Sequence, residues 1–179
     1  RRIGVGGMGE VYEARHIQEE FGIDRKVVVK MVLEKMRGSK KAEQALRREA
    51  RLLACLNHPN IVSIIDVGVW NEFSVLVMEH IEGFSLADII ECLQKSKRHM
   101  SVPFIVHIFS QIAQGLSYIY SGQSDTGESN ELIHRDICPR NIMIRKDGWI
   151  KLIDFGIAEE QNMLTASNLI AGKINYVSP

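Results

Sequence analysis

Short β-branched runs and one long helical stretch alternate along the first 80 residues. "EVYEARH" (10–16), "RKVVVKMVL" (25–33) and "FSVLVMEHI" (73–81) are rich in Val, Ile, Tyr and Phe, and predict strands. Between the last two lies "KKAEQALRREARLLACLNH" (40–58), whose Ala, Leu, Arg and Glu content favours helix. Ala45, Leu46, Glu49, Leu52, Leu53 and Leu56 recur there at helical spacing. "HPN" (58–60) is expected to end the helix, because the residue before a proline is pushed out of helical geometry.

From Gly83 the pattern turns helical. "SLADIIECLQKSK" (85–97) offers Ser85 as an N-cap. "SVPFIVHIFSQIAQGLSYIY" (101–120) carries Ile105, Ile108, Phe109, Ile112, Leu116 and Ile119 on one broad apolar face, with Ser101 as cap and Pro103 in the first turn. "SGQSDTGESNE" (121–131) reads as a surface loop, and "IHRDICPRNIMI" (133–144), "WIKLIDFG" (149–156) and the tail as short strands joined by loops. The expectation is an α+β chain. A small sheet with one helix fills residues 1–81 and a mainly helical part fills 82–179, with the hinge at "EHIEG" (79–83).

Composition narrows this little. Of 179 residues, 45% are hydrophobic and 25% charged, as in a globular domain. The 22 basic and 22 acidic residues balance, which argues against a general nucleic-acid or membrane-surface binder. Cys55, Cys92 and Cys138 lie far apart without CxxC spacing, so a disulfide framework or zinc site is not expected and a reducing cytosol is. No apolar run is expected to span a membrane, and "RRIGVGGMGE" does not read as a signal peptide, although a longer parent protein with an anchor stays open.

The chemistry lies in separated motifs. "GVGGMGEVY" (4–12) sets Gly4, Gly6 and Gly9 in the G-x-G-x-x-G pattern, where missing Cβ atoms let backbone N–H groups approach phosphate oxygens. Dinucleotide-binding folds use the same spelling, but there a helix follows, whereas here the β-formers Val11 and Tyr12 do. Lys30 ends "VVVK", and Glu49 on the predicted helix could fix a phosphate-holding Lys. Asn141 and the Asp154 of "DFG" offer hard oxygens suited to Mg²⁺, which leaves Asp136 free to accept a proton from a substrate hydroxyl.

Together "GVGGMGEVY", "VVVK", Glu49, "HRD…N" and "DFG" stand in the order and approximate spacing of the eukaryotic-type protein kinases, and the chain resembles them over its whole length. "GGMGEVY", "LNHPNIV" and "YVSP" look most like the bacterial serine/threonine branch. The resemblance implies a bilobal fold, ATP and Mg²⁺ as cofactors, and transfer of the γ-phosphoryl group to Ser or Thr hydroxyls of protein substrates. It implies that Lys30 pairs with the ATP phosphates and with Glu49, Asp136 acts as base or orienter, and Asn141 and Asp154 hold the metal. Met78 would be the gatekeeper, the backbone of Glu79 and Ile81 would meet the adenine edge, and Val11, Val28 and Met143 would sandwich the ring. Val28 stands where the family usually has Ala. Arg135 would pair with a phosphorylated activation loop, for which Thr165 and Ser167 are candidates, with self-association for trans-autophosphorylation.

Cys138 departs from the family, which normally has Lys there to steady the transferring phosphoryl group. Losing one such donor costs on the order of 10²–10³ in rate. Two replacements are visible. Arg140 lies four residues after Asp136, and Lys173 in "GKINYVSP" stands where the family usually has Thr. Lys173 is the favoured relocated charge. Cys138 itself is a small space-filler or, less favoured, a redox handle beside a cationic site. The alternative function is an ATP-binding pseudokinase or scaffold. His134 reads as a packed structural histidine, and "KSKRH" (95–99) as a solvated loop. The family continues past "YVSP", so the 179-residue chain alone is expected to expose core surface and to be weakly stable and inactive.

Overall fold

A computed structural model describes residues 1–5, 9–121, 134 and 136–154. The chain divides into two compact units, Arg1–Ala54 with Ser63–His80, and Cys55–Val62 with Ile81–Pro179.

The first unit is a five-stranded antiparallel sheet of order β1-β2-β3-β5-β4, built from β1 (Arg2–Val5), β2 (Gly9–Gln18), β3 (Ile23–Val32), β4 (Ile64–Trp70) and β5 (Phe73–Glu79). The glycine-rich stretch joins two strands, as the β-formers after it predict. β4 was not expected, because Asp66 and Gly68 interrupt its apolar run. It is closed onto β5 by Asn71 and Glu72 at φ 47 and 69, the left-handed geometry of a tight hairpin turn.

The helix α1 (Lys40–Ala54) buries Ala42, Leu46, Glu49, Ala50 and Leu53. Leu53 at 1% exposure and Leu76 of β5 at 0% are the unit's most buried side chains. α1 stops at Ala54 and does not run on to "HPN". The next residues belong to the second unit, where Asn60 is fully buried and Leu152 N donates to its carbonyl at 2.8 Å. Those hydrogen bonds require an extended backbone, and tertiary pairing overrides the helical pattern of residues 55–58.

The second unit holds α2 (Leu86–Lys95), α3 (Val102–Tyr120) and an antiparallel sheet of β6 (Gly83–Ser85), β7 (Ile142–Arg145) and β8 (Ile150–Leu152). Ile108, Ile112, Ile142, Ile144, Ile150 and Leu152 form its core. Ser85 caps α2 with a reciprocal capping box to Asp88. Ser101 occupies the N-cap position of α3 but makes no side-chain cap bond.

α3 corrects two expectations. It is long and apolar enough, by length and composition, to cross a membrane, contrary to the reading that no such run exists. Its buried residues are Ile108, Gln111, Ile112, Gly115 and Ile119, while Phe109 is 67% and Ile105 37% exposed, so the predicted apolar face is not buried as one. Residues 55–62 join the second unit, which resumes at Ile81. The backbone pairing of Asn60 and of Val62, whose N–H donates to Leu152 O at 2.9 Å, is the cause.

Candidate active site

The first unit carries one group of predicted site residues. Lys30 on β3 lies opposite Val11 of β2 and Leu76 of β5, so all three share a sheet face. Glu49 lies on the buried face of α1. The Lys30 ammonium donates to both carboxylate oxygens of Glu49, at 2.6 and 2.8 Å, with side chains 14% and 8% exposed. An ammonium so shielded needs a counter-charge held by good hydrogen bonds, and Glu49 supplies it.

Around this pair, Gly4 lies opposite Val11, and Gly9 opens β2. A Cβ at Gly9 would sit 3.1 Å from Met31 O and 3.5 Å from Lys30 Cε, so glycine keeps that approach open. A Cβ at Gly4 would meet only ordinary contact with Val11 at 3.7 Å. Val28 pairs with Met78, which is 8% exposed and also pairs with Ile64. The Glu79 N–H donates to Ser63 O at 3.0 Å and its Oε1 accepts from Ser63 N at 2.8 Å.

The second unit carries the other group. Asp136 N donates to His134 O at 2.8 Å, and a 3-10 turn, Pro139–Asn141, follows. Pro139 presets φ for that turn. Asn141 is 6% exposed, and its Nδ2 donates at 2.8 Å to both Asp136 O and Asp136 Oδ2, and at 3.4 Å to Asp154 O. Ile153 N donates to Asn141 O at 2.9 Å, which ties this turn to the residue before Asp154. Asp154 itself holds φ 58, a left-handed backbone that costs a non-glycine residue free energy and clusters at functional sites. Met143 is half-buried on β7, opposite Ser85 and Lys151, and Ile81 is half-buried at the start of the unit.

His134 is 2% exposed, and burial pushes its pKa below the ordinary histidine value, partly offset by Asp136 and Asp154. Cys138 is also 2% exposed, whereas Arg140 is exposed. Gly6, Arg135, Phe155, Thr165, Ser167 and Lys173 lie outside the described residues.

The donor set suits a hard cation. With Asn141 Nδ2 on Asp136, the amide oxygen Oδ1 is left as one hard donor, and Asp154, whose backbone carbonyl lies 3.4 Å from the same Nδ2, carries another by type. Among the described residues no three His, Cys, Asp or Glu side chains gather as a cage. Mg²⁺ takes few protein ligands and completes its shell with phosphate and water oxygens.

Sequence reasoning missed a buried polar network in the same unit. Asn60 Nδ2 donates at 2.8 Å to Gln111 Oε1 and to Ile150 O, and Gln111 Oε1 also accepts from Ile150 N at 2.9 Å. The available signal was one glutamine within an apolar helical stripe.

Residues 1–179 match the protein family described as Protein kinase domain. The serine/threonine-protein kinase PrkC of Bacillus subtilis is 34% identical over 181 residues, covering 100% of this chain and 26% of that protein. The probable serine/threonine-protein kinase PknB of Lactococcus lactis is 32% identical, covering 100% and 26%. The tyrosine-protein kinase MasK of Myxococcus xanthus is 29% identical, covering 100% and 28%. The chain thus spans about a quarter of the length of these curated relatives.

Proposed function

This chain belongs to the protein kinase domain family, beside bacterial serine/threonine kinases, and we propose that its parent protein transfers the γ-phosphoryl group of ATP to Ser or Thr hydroxyls of proteins. The observation that carries the reading is the pair of prepared groups, Lys30 on Glu49 and Asn141 on Asp136. Lys30, held by Glu49, presents one fixed positive charge to the nucleotide phosphates. Gly4, Gly6 and Gly9 let the backbone approach those phosphates. The backbone of Glu79 and Ile81 meets the adenine edge, with Val11, Val28 and Met143 against the ring and Met78 as gatekeeper.

Asp136 takes or orients the proton of the substrate hydroxyl, with its carboxylate aimed by Asn141. Asn141 Oδ1 and Asp154 hold Mg²⁺, which when bound neutralises charge on the phosphate oxygens. Lys173, with Arg140 as the second candidate, replaces the cation that Cys138 does not supply. Protein substrates, self-association for phosphorylation at Thr165 or Ser167, and a cytosolic setting complete the proposal. The preference for Ser and Thr rests on the names of PrkC and PknB, and MasK makes tyrosine the competing acceptor.

One observation favours a second reading, an ATP-binding pseudokinase: a buried cysteine, Cys138, stands where the family has Lys. A single experiment separates the two. The full-length protein, with Mg²⁺ and γ-labelled ATP, is followed for label in itself and in a generic basic protein, beside Asp136→Asn. Label on Ser or Thr that disappears in Asp136→Asn supports the kinase. Nucleotide binding without label supports the pseudokinase.

A further inference from the structure

Glu10, directly after Gly9, is 7% exposed on a sheet whose other acidic side chains reach solvent more freely. Its two oxygens are engaged separately. Oε2 accepts from the Tyr12 hydroxyl at 2.7 Å, and Oε1 faces Arg2 Nη1 at 3.4 Å. Arg2 lies on β1 and Tyr12 on β2, the strands that flank the glycine-rich segment.

The backbone register is arranged to allow this. Gly4 pairs with Val11 and Val5 with Glu10, and continuing that register would set Arg2 opposite Glu13. A bulge between Arg2 and Gly4 sets Arg2 opposite Tyr12 instead. One residue of slip moves a side chain to the other sheet face, so the bulge brings Arg2 onto the face of Glu10 and Tyr12. On the same face Glu10 lies opposite Met31 of β3, whose carbonyl is the atom nearest the missing Cβ of Gly9.

We propose that Glu10 is a positioning residue for nucleotide binding: by holding Arg2 of β1 and Tyr12 of β2 it fixes the spacing of Gly4 and Gly9, and so the approach of their backbone to phosphate. The inference deepens the kinase reading and rests on it. The hydrogen bond to Glu10 also raises the Tyr12 pKa, with smaller contributions from burial and from the Glu10 charge, as expected of a phenol donating to a carboxylate. Glu10 touches no substrate atom in this account and acts through the strands.

The test measures KM for ATP, kcat at saturating ATP and Tm on the full-length protein with Mg²⁺. Glu10→Ala is expected to raise KM for ATP about tenfold, as loss of a hydrogen bond to a charged group implies, while kcat changes less than about twofold. Glu10→Gln, whose amide oxygen can still accept from Tyr12, falls between wild type and Glu10→Ala. Tyr12→Phe raises KM about threefold, and adding it to Glu10→Ala raises KM no further, because both remove one contact. A merely structural clamp would lower Tm in all variants and leave KM unchanged. That result overturns the proposal, and if Glu10→Ala does not fold, a wild-type KM in Tyr12→Phe overturns it as well. A wild-type protein that binds no ATP overturns the kinase reading and this inference together, whereas unchanged variants of a working kinase overturn this inference alone.

Discussion

One amide group joins Asn141 to Asp136 twice: Nδ2 donates at 2.8 Å to the Asp136 carbonyl and at 2.8 Å to its Oδ2. The same side chain therefore fixes the backbone and the rotamer of the proposed base, and leaves its oxygen for the proposed metal role. Asn141→Ala is expected to lower kcat by about 10²-fold through misplacement of Asp136. Added to Asp136→Asn it should cost less than it does alone, since the part that acts through Asp136 is already lost and only the proposed metal role remains. Steady-state kinetics of the single and double variants check this, and additive losses would mean that the two residues act independently.

The Lys30–Glu49 pair makes a different prediction. Both side chains are largely shielded. Glu49→Ala leaves the ammonium without this counter-charge and is expected to destabilise the protein by up to ~3–5 kcal/mol. Glu49→Gln keeps the volume and one acceptor, so it should keep most of the stability while weakening ATP binding. Thermal unfolding and nucleotide titration of the two variants separate the structural from the functional share.

Lys173 and Arg140 compete for one role. Lys173→Met is expected to abolish phosphoryl transfer while leaving ATP affinity little changed, and Arg140→Met to retain transfer. Single-turnover transfer and ATP binding measured on both variants decide. The reverse pattern would assign the relocated charge to Arg140.

Gly83 is a steric prediction. A Cβ there would lie 2.0 Å from Ile144 O and 2.9 Å from Arg145 Cα, both backbone atoms of the paired strand β7. Gly83→Ala should cost more than the ~1–3 kcal/mol of ordinary overpacking, because a strand must move. Gly148, at φ 90 with open space around it, should lose only the cost of its left-handed backbone when changed to Ala. Chemical denaturation of the two variants compares them.

Acid should weaken the fold through two histidines. Burial holds the pKa of His58 below the ordinary value, with Lys151 adding to the shift, and burial does the same for His134. His58 Nδ1 accepts from Asn60 N at 3.1 Å, a bond that protonation there would break. Below the unfolded histidine pKa of about 6.5 the unfolded chain binds more protons, so stability is full above that pH and falls as pH drops through it. Tm should decline on acidification below about pH 6.5, less steeply in His58→Gln, and an equal decline in both proteins would remove His58 from the account.

Much of this was legible without a structure. β-branched runs placed β2, β3 and β5, and helical spacing placed α1, because burial on one face leaves a period in the sequence. Lys30, Glu49, Asp136, Asn141 and Asp154 were put forward as site residues by spelling, since each proposed role needs a particular functional group at a particular place along the chain. β4 was missed because Asp66 and Gly68 break its pattern, and α1 was extended too far because residues 55–58 are acceptable helix formers.

The sequence by itself determined the family, the order of the motifs and the types of group proposed to do chemistry. Only the tertiary structure decided that Ile105 and Phe109 of α3 are exposed, that Cys138 is buried while Arg140 is not, and that a bulge turns Arg2 toward Glu10. The reason is physical. Periodicity and motif spacing are local and written in neighbouring residues, whereas burial and register depend on partners distant in the chain. Asn60 reaches Ile150 across 90 positions, and no local pattern records that hydrogen bond.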